Sequence, residues 1–301
     1  LRIRSLGDAL VSVVSISWPS LYCRNDVENG GVAPPHLVAD EKHCRHQGER
    51  IYWAVTAAKG CIVGSCLSPS AGYEDLQAAY GAFEQEMSDH APDYRPETVT
   101  TDGWEATRRA WETLFPGITW ILCFLHEVIK VRDWCRSKPD LRTCLTDKLW
   151  HIYHATSKRQ FAQRLRRFLE WTQSVTLPTP INDRLKRLRE KSLFFQRAFD
   201  FSDAYRTSNQ VDRPMNYLDR ALYAMQDFHG AWESAERSVR AMAILWNFHP
   251  FCRKTQQQHG GCLCPFEQLN GFRYHDDWMR NLLIASSLNG RRPLIKSSHT
   301  N

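Results

Sequence analysis

The order of short apolar runs and helical stripes in the first 125 residues is the feature that most constrains the fold of this chain. A strand is predicted at residues 37–43, followed by a hairpin at 50–67 that turns at Lys59-Gly60. Helices and strands then alternate: we predict a helix at 74–87, a strand ending at Asp102, a helix at 104–115 and an apolar strand at 118–125. This order predicts an α/β fold in which helices flank a mixed sheet.

The pattern changes beyond residue 127, where strand signals disappear and basic helical segments begin. An apolar helical stripe is formed by Phe161, Leu165, Phe168, Leu169 and Thr172. Helices are also predicted at 216–248, with a break near His229-Gly230, and at 276–288, whereas 251–272 is predicted to be a loop. We therefore divide the chain into an N-terminal remnant or linker (1–35), a first part of the α/β domain (36–127), an all-helical insertion (128–205), a second part of the α/β domain (206–250) and a C-terminal extension (251–301).

Composition narrows the class of protein. The 301 residues suffice for one large domain or two ordinary ones, and their 43% hydrophobic and 24% charged content is that of a globular protein. The longest apolar stretch, residues 9–18, is interrupted by serines and is too short to span a bilayer, and no signal peptide is recognised. Ten cysteines without framework spacing indicate a reducing, cytoplasmic setting. Because the chain starts at Leu1, we expect a further N-terminal module upstream.

Two aspartates are the residues that most clearly indicate a chemical function. Asp40 and Asp102 are each predicted at the end of a strand, and the run at 118–125 leads into Cys123 and His126. Carboxylates on neighbouring strand ends can hold a divalent metal ion, which can activate water or a hydroxyl against a phosphodiester. The net charge of +6 permits a nucleic-acid partner. The sequence therefore predicts an enzyme of nucleic-acid phosphoryl transfer.

A third acid, Asp212, stands in the motif S-N-x-x-D-R at 208–213, beyond the helical segment. With Asp40, the T-D-G-W motif around Asp102, and Cys123 and His126, the chain over residues 37–250 resembles bacterial insertion-sequence transposases of the Mutator-like (MULE-type) DDE group. These have an RNase H-like core, a DDE triad, a helical insertion before the third acid, and a C/D-x-x-H motif after the second Asp.

The resemblance implies a mechanism and partners. Asp40, Asp102 and Asp212 would be the catalytic residues and would hold Mg²⁺ or Mn²⁺, while Cys123 and His126 would lie near the site. The expected reaction is cleavage and strand transfer of the DNA ends of a mobile element. The expected partners are transposon and target DNA and at least one further copy of the chain, in a bacterial cytoplasm and associated with the nucleoid.

The chain departs from this family at the third acid. The family uses Glu, and Asp212 is one methylene shorter; if Asn209 caps the helix, Pro214 removes a backbone donor from its second turn. Two alternatives therefore stay open: a metal-dependent nuclease of the same fold, and a catalytically inactive, DNA-binding remnant. Glu233 and Glu236 are fallback third acids. A zinc site at Cys123 and His126, or at 259–264, is the less favoured interpretation.

Basic side chains are candidates for contact with the DNA backbone, although charged helix faces are usually only solvated. Glu41 and His43 are open to the same two interpretations. Trp104, Trp111, Trp134 and Trp171 are predicted to be core residues and not base-stacking groups. The candidate DNA-binding residues are Lys42, Arg159, Arg164, Arg167, Arg184, Arg187 and Arg213.

Overall fold

The computed structural model of this chain describes residues 33–287. Five strands in this range form one mixed sheet: β1 (His36–His46), β2 (Glu49–Ala58), β3 (Cys61–Ser68), β4 (Thr98–Thr101) and β5 (Thr119–Leu122). Across the sheet the order is β3-β2-β1-β4-β5. Strand β2 pairs antiparallel with both β1 and β3, while β4 runs parallel to both β1 and β5.

Helices connect and follow these strands. Helices α1 (Tyr73–His90) and α2 (Glu105–Leu114) flank β4 along the chain. A helical segment follows β5 and consists of α3 (Phe124–Trp134), α4 (Pro139–Tyr153), α5 (Lys158–Gln173), α6 (Thr179–Glu190), α7 (Ser192–Gln196) and a short 3-10 helix (Arg197–Asp200). The described chain then ends with α8 (Asn209–Met225), α9 (Trp232–Phe248), α10 (Arg253–Gln258), α11 (Pro265–Asn270) and α12 (Trp278–Ser287). The predicted α/β class, with a mixed sheet flanked by helices, is confirmed.

The two faces of the sheet carry separate hydrophobic cores. Successive residues of a strand point to opposite faces, so Leu37 and Ala39 pack in one core, whereas Val38 packs in the other. The first core contains the buried side chains of α1 and α2 and is continuous with those of α3 to α7. The second contains those of α8 and α9. Even-numbered residues near the start of β1 therefore face α8, and odd-numbered ones face α1 and α2.

The hairpin between β2 and β3 turns as the sequence predicts. Lys59 and Gly60 both have a positive φ, of 49° and 75°, which is the requirement of a two-residue type I′ turn. Such a turn matches the right-handed twist of the strands that it joins. The predicted hairpin is therefore confirmed.

Several predicted boundaries were wrong. The fifth strand ends at Leu122 and not at 125, so Cys123 follows the strand and His126 lies in α3. The predicted helix at 216–248 begins earlier, at Asn209, and its predicted break is confirmed between α8 and α9. The region at 251–272 is not only loop, because it contains the short helices α10 and α11. The predicted final helix is confirmed as α12; Leu288 and residues 1–32 lie outside the described range.

The helices were also compared with what a bilayer requires. None of those between residues 33 and 287 has both the length and the apolar character to cross a membrane.

Candidate carboxylate site

The register between β1 and β4 places Asp40 beside Asp102. The two strands are parallel, and Val38 lies opposite Thr100. Strand β4 ends at Thr101, whereas β1 continues to His46, so Asp40 lies inside β1 and not at its end as predicted. Asp40 and Asp102 each follow the Val38–Thr100 pair by two residues. Because alternate residues share a face and neighbouring strands lie about 4.8 Å apart, the two carboxylates are neighbours on the face covered by α8.

The turn after β4 fixes the direction of Asp102. Its Oδ1 accepts a hydrogen bond of 2.9 Å from the backbone N–H of Trp104. Gly103 between them has a φ of +95°, and a Cβ built on it would lie 2.4 Å from Cδ1 of Leu122. Only glycine fits this turn without displacing a core leucine. The T-D-G-W motif is therefore a turn that presents a carboxylate at the edge of β4.

Asp212 lies in the first turn of α8, on the same face of the sheet. The N-cap residue is Ser208 and not Asn209, and the Ser208 hydroxyl donates to Oδ1 of Asp212 over 3.4 Å. Burial raises the pKa of Asp212, and this hydrogen bond opposes the rise. Pro214 does not interrupt α8, which runs unbroken from Asn209 to Met225; Pro214 itself is buried, so tertiary packing outweighs its missing backbone donor.

The three acids share one electrostatic neighbourhood. The pKa of Asp40 is raised well above its usual value, first by burial and then by the negative charges of Glu41 and Asp102, with a smaller contribution from Asp212. The backbone N–H of Glu41 donates to Oδ1 of Asp40 over 2.9 Å and partly opposes this rise. Crowded carboxylates of this kind lower their repulsion by taking up a proton or a cation.

Asp40, Asp102 and Asp212 can be compared with what a metal ion requires of its ligands. No three His, Cys, Asp or Glu side chains in the described range are placed so that they could hold a metal ion, and this includes the predicted triad. Mg²⁺, however, is usually held by one or two carboxylates together with waters and substrate phosphates. Asp40 and Asp102 supply two, and within residues 33–287 neither accepts a hydrogen bond at Oδ2. This pair fits a hard divalent cation, with Asp212 close by.

Cys123 links the end of β5 to the start of α8. Its buried Sγ accepts the backbone N–H of Ser208 over 3.1 Å, and its thiol donates to Oγ of Ser208 over 3.5 Å. Beside it, the backbone N–H of Phe124 donates to the carbonyl of Arg206 over 3.1 Å. Burial raises the pKa of the Cys123 thiol, which stays protonated and suits a hydrogen bond better than zinc. A chain of hydrogen bonds thus runs from Cys123 through Ser208 to Asp212.

His126 faces Asp102 from the first turn of α3. Burial lowers the pKa of its ring, and the charge of Asp102 opposes this; Lys130 and Arg184 lower it further. Its Nδ1 is buried and has no hydrogen-bond partner in the described part of the chain. Cys123 and His126 therefore have different neighbours, and within residues 33–287 no further ligands lie with them as a zinc site would require.

Glu41 is a buried carboxylate whose place the sequence analysis missed. Both the Thr107 hydroxyl, at 2.5 Å, and the Tyr80 hydroxyl, at 2.7 Å, donate to its Oε1. Burial raises its pKa from 4.5 to about 7, against the effect of these two hydrogen bonds. The alternation of side chains along a strand could have indicated this place. Asp40 faces α8, so the next residue, Glu41, must face α1 and α2.

Some of the candidate DNA-binding residues have partners within the protein. Lys42 forms an ion pair of 2.6 Å with Asp219 of α8. Arg184 forms a buried ion pair of 2.5 Å with Glu127, and Arg164 donates to the carbonyl of His151 over 2.5 Å. The other four candidates are exposed: Arg159, Arg167, Arg187 and Arg213.

A cleft of about 480 Å³ lies near the start of α8, away from the carboxylates. Arg213 lines it, together with Lys59, Trp246 and His249. None of Asp40, Asp102 and Asp212 is among its lining residues. The cleft is therefore a separate feature from the carboxylate site.

The sequence was compared with known proteins. No protein-family model matches it, and no curated protein matches it either.

Removing the Cys123 thiol should destabilise the protein, because the buried N–H of Ser208 then loses its partner. We expect Cys123→Ala to lower the free energy of unfolding by about 1–3 kcal/mol more than Cys135→Ala, as a buried unsatisfied donor does. Cys135 is the matched control, being buried and without a side-chain hydrogen bond in the described part of the chain. Cys123→Ser should recover part of the loss. Urea unfolding measures all three, and equal losses at Cys123 and Cys135 would contradict the link.

The buried Glu41 should make the protein less stable as the pH rises. Below about pH 4.5 the carboxyl is protonated in both folded and unfolded chains; between that pH and about 7 only the unfolded chain ionises. The free energy of unfolding should fall across this window by at most about 3 kcal/mol from this residue. Glu41→Gln still accepts both hydroxyls and should flatten that part of the profile, whereas the exposed Glu49→Gln should not. Identical pH profiles for the native protein and Glu41→Gln would disprove this assignment.

Proposed function

We propose that this protein is a DDE-type DNA transposase similar to the Mutator-like insertion-sequence group, which cleaves DNA and transfers the strand by metal-dependent phosphoryl transfer. The observation that carries the proposal is the pair Asp40 and Asp102, set side by side on parallel strands, with Asp212 close enough for its charge to act on Asp40. Both side chains are only half-buried, so a substrate phosphate could approach them.

The architecture supports the proposal. An RNase H-like core with a helical insertion before the third acid requires a mixed sheet that carries the first two acids and a helix that carries the third. Here the sheet carries Asp40 and Asp102, the helical segment α3 to α7 follows β5, and α8 carries Asp212. We therefore assign the helical segment as the insertion and residues 36–127 and 206–250 as the two parts of the core.

Each residue of the site would have its own role in the reaction. Asp40 and Asp102 would hold Mg²⁺ or Mn²⁺, which when bound supplies Lewis-acid activation of the attacking hydroxyl and stabilisation of the leaving oxygen. Asp212 would add a third carboxylate from α8. Cys123 and Ser208 would orient Asp212, because their hydrogen bonds fix the first turn of the helix that carries it.

A second candidate function is a DNA-binding remnant without catalysis. It is favoured by one observation: the three acids do not converge on a common point within the described residues. Asp212 is shorter than the Glu that the transposase family uses, so its carboxylate stops further from the pair. A metal-dependent nuclease would share the carboxylate pair and differ only in the absence of a joined product.

Mg²⁺- or Mn²⁺-dependent cleavage and joining of DNA tests the proposal. The substrate is DNA that carries the sequences flanking the gene, and the protein is produced from its complete reading frame. We expect cut and joined products that disappear with EDTA and with Asp102→Asn, since the amide does not replace a metal-binding carboxylate. The exposed Asp93→Asn, in the loop before β4, is the matched control and should stay active.

The outcomes of this assay separate the candidates. Cleavage without joining would identify a nuclease. DNA binding with no cleavage by the native protein under any metal would favour the remnant. Cleavage that survives in Asp102→Asn would contradict the assigned site.

A further inference from the structure

Lys130 reaches the carboxylate site from α3. Strands β4 and β5 are parallel neighbours, with Thr101 opposite Leu122, so the turn at Asp102 and the start of α3 lie at the same edge of the sheet. His126 and Lys130 are four residues apart in α3 and therefore share one helix face. The charge of Asp102 acts on both side chains.

Lys191 reaches the same turn from a different helix. It directly follows α6, and its Nζ lies 3.9 Å from the point that a Cβ on Gly103 would occupy. Its positive charge acts on Lys130. Two ammonium groups from separate helices thus lie at the edge of the turn that carries Asp102.

Within residues 33–287 these two lysines have no direct partner, unlike the neighbouring Arg184. Among residues 33–287, the side chains of Lys130 and Lys191 form neither a hydrogen bond nor an ion pair. Oε1 of the nearby Glu127 is paired with Arg184, and this ion pair joins α6 to α3. The pair thereby sets the spacing of the two helices from which the lysines extend.

A half-buried ammonium group without a partner is unfavourable, and an anion is the partner that would relieve it. Burial lowers the pKa of Lys130, which shows that water solvates this charge poorly. The charges of Glu127 and Asp102 both act on Lys130, but Arg184 takes one oxygen of Glu127, and in the proposed function the metal ion would use Asp102. Lysine is a common binder of phosphate oxygens, and both lysines stand beside the carboxylates at which a phosphodiester would react.

We propose that Lys130 and Lys191 bind a phosphate of the nucleic-acid backbone next to Asp40 and Asp102, and so position the strand for reaction. The inference rests on the proposed function, because it names the substrate contact of the same site. It goes beyond the seven candidate DNA-binding residues chosen from the sequence, since neither lysine is among them. Both act by binding and positioning.

The test measures DNA binding without catalysis. A fluorescein-labelled DNA duplex is titrated in EDTA with the native protein, Lys130→Gln, Lys191→Gln and the double variant, over a series of salt concentrations. Each single change should weaken binding by roughly threefold to tenfold and lower the slope of log K against log salt by about 1, and the double variant by about 2. Lys254→Gln, an exposed change on α10, is the matched control and should change neither.

The outcomes keep this inference separate from the proposed catalysis. A reduced slope in the lysine variants supports the phosphate contact, even if the native protein never cuts DNA. Unchanged binding and slope in both single variants overturn it, even if the native protein is an active transposase.

A second arm titrates inorganic phosphate. If the variants lose phosphate binding yet keep full DNA affinity, the site takes a free phosphate and the inference is also overturned. Lys191→Gln changes only a residue at the end of a helix. If Lys130→Gln fails to fold, the DNA binding of Lys191→Gln alone tests the inference.

Discussion

The parallel register between β1 and β4 is the constraint on which the rest of this structure depends. Pairing of Val38 with Thr100 makes Asp40 and Asp102 neighbours, and a shift of one residue would turn one of the two to the opposite face of the sheet. The hairpin that extends β1 beyond β4 keeps Asp40 inside a hydrogen-bonded strand, opposite Val55. The first carboxylate is thus held by the sheet itself and the second by a glycine turn.

This register concentrates negative charge in a poorly solvated place. Asp40 and Asp102 repel each other on one face, while Glu41 adds a carboxyl on the other, with its hydroxyl partners Tyr80 and Thr107. The surroundings balance the charge only in part: Lys42 pairs with Asp219 and not with Asp40. Within residues 33–287 no basic side chain forms an ion pair with Asp40 or Asp102, which suits the site to binding a cation. The lysines beside it are suited to the anion that would accompany that cation.

Much of the fold could be predicted from the sequence, because strand alternation and helical stripes are local patterns. The order of the first seven elements followed from these patterns, as did the hairpin turn and the helical character of 128–200. The errors arose where tertiary contacts decide. Pro214 stays inside α8 because it is buried. Cys123 lies beyond the end of β5, where its thiol forms a hydrogen bond with Ser208, 85 positions later in the sequence.

The site could be predicted only in part, for a related reason. Asp40, Asp102 and Asp212 were identified as a set, and the structure brings their charges together, but the sequence could not give the distances on which a metal site depends. The sequence also does not show which partners the charged residues have. Arg184 resembles an exposed basic residue of a helix, yet its side chain is largely buried against Glu127. Lys130 and Lys191 come from helices whose packing no local pattern specifies.

We propose above all that Asp40 and Asp102 together form a site for a hard divalent cation. Titration with Mn²⁺, followed by the electron paramagnetic resonance signal of the free ion, measures it directly. We expect saturable binding to the native protein and to Asp93→Asn. This binding should be lost in both Asp40→Asn and Asp102→Asn, with a smaller loss in Asp212→Asn. Native protein that binds no Mn²⁺, or binding that survives in both Asp40→Asn and Asp102→Asn, would contradict it.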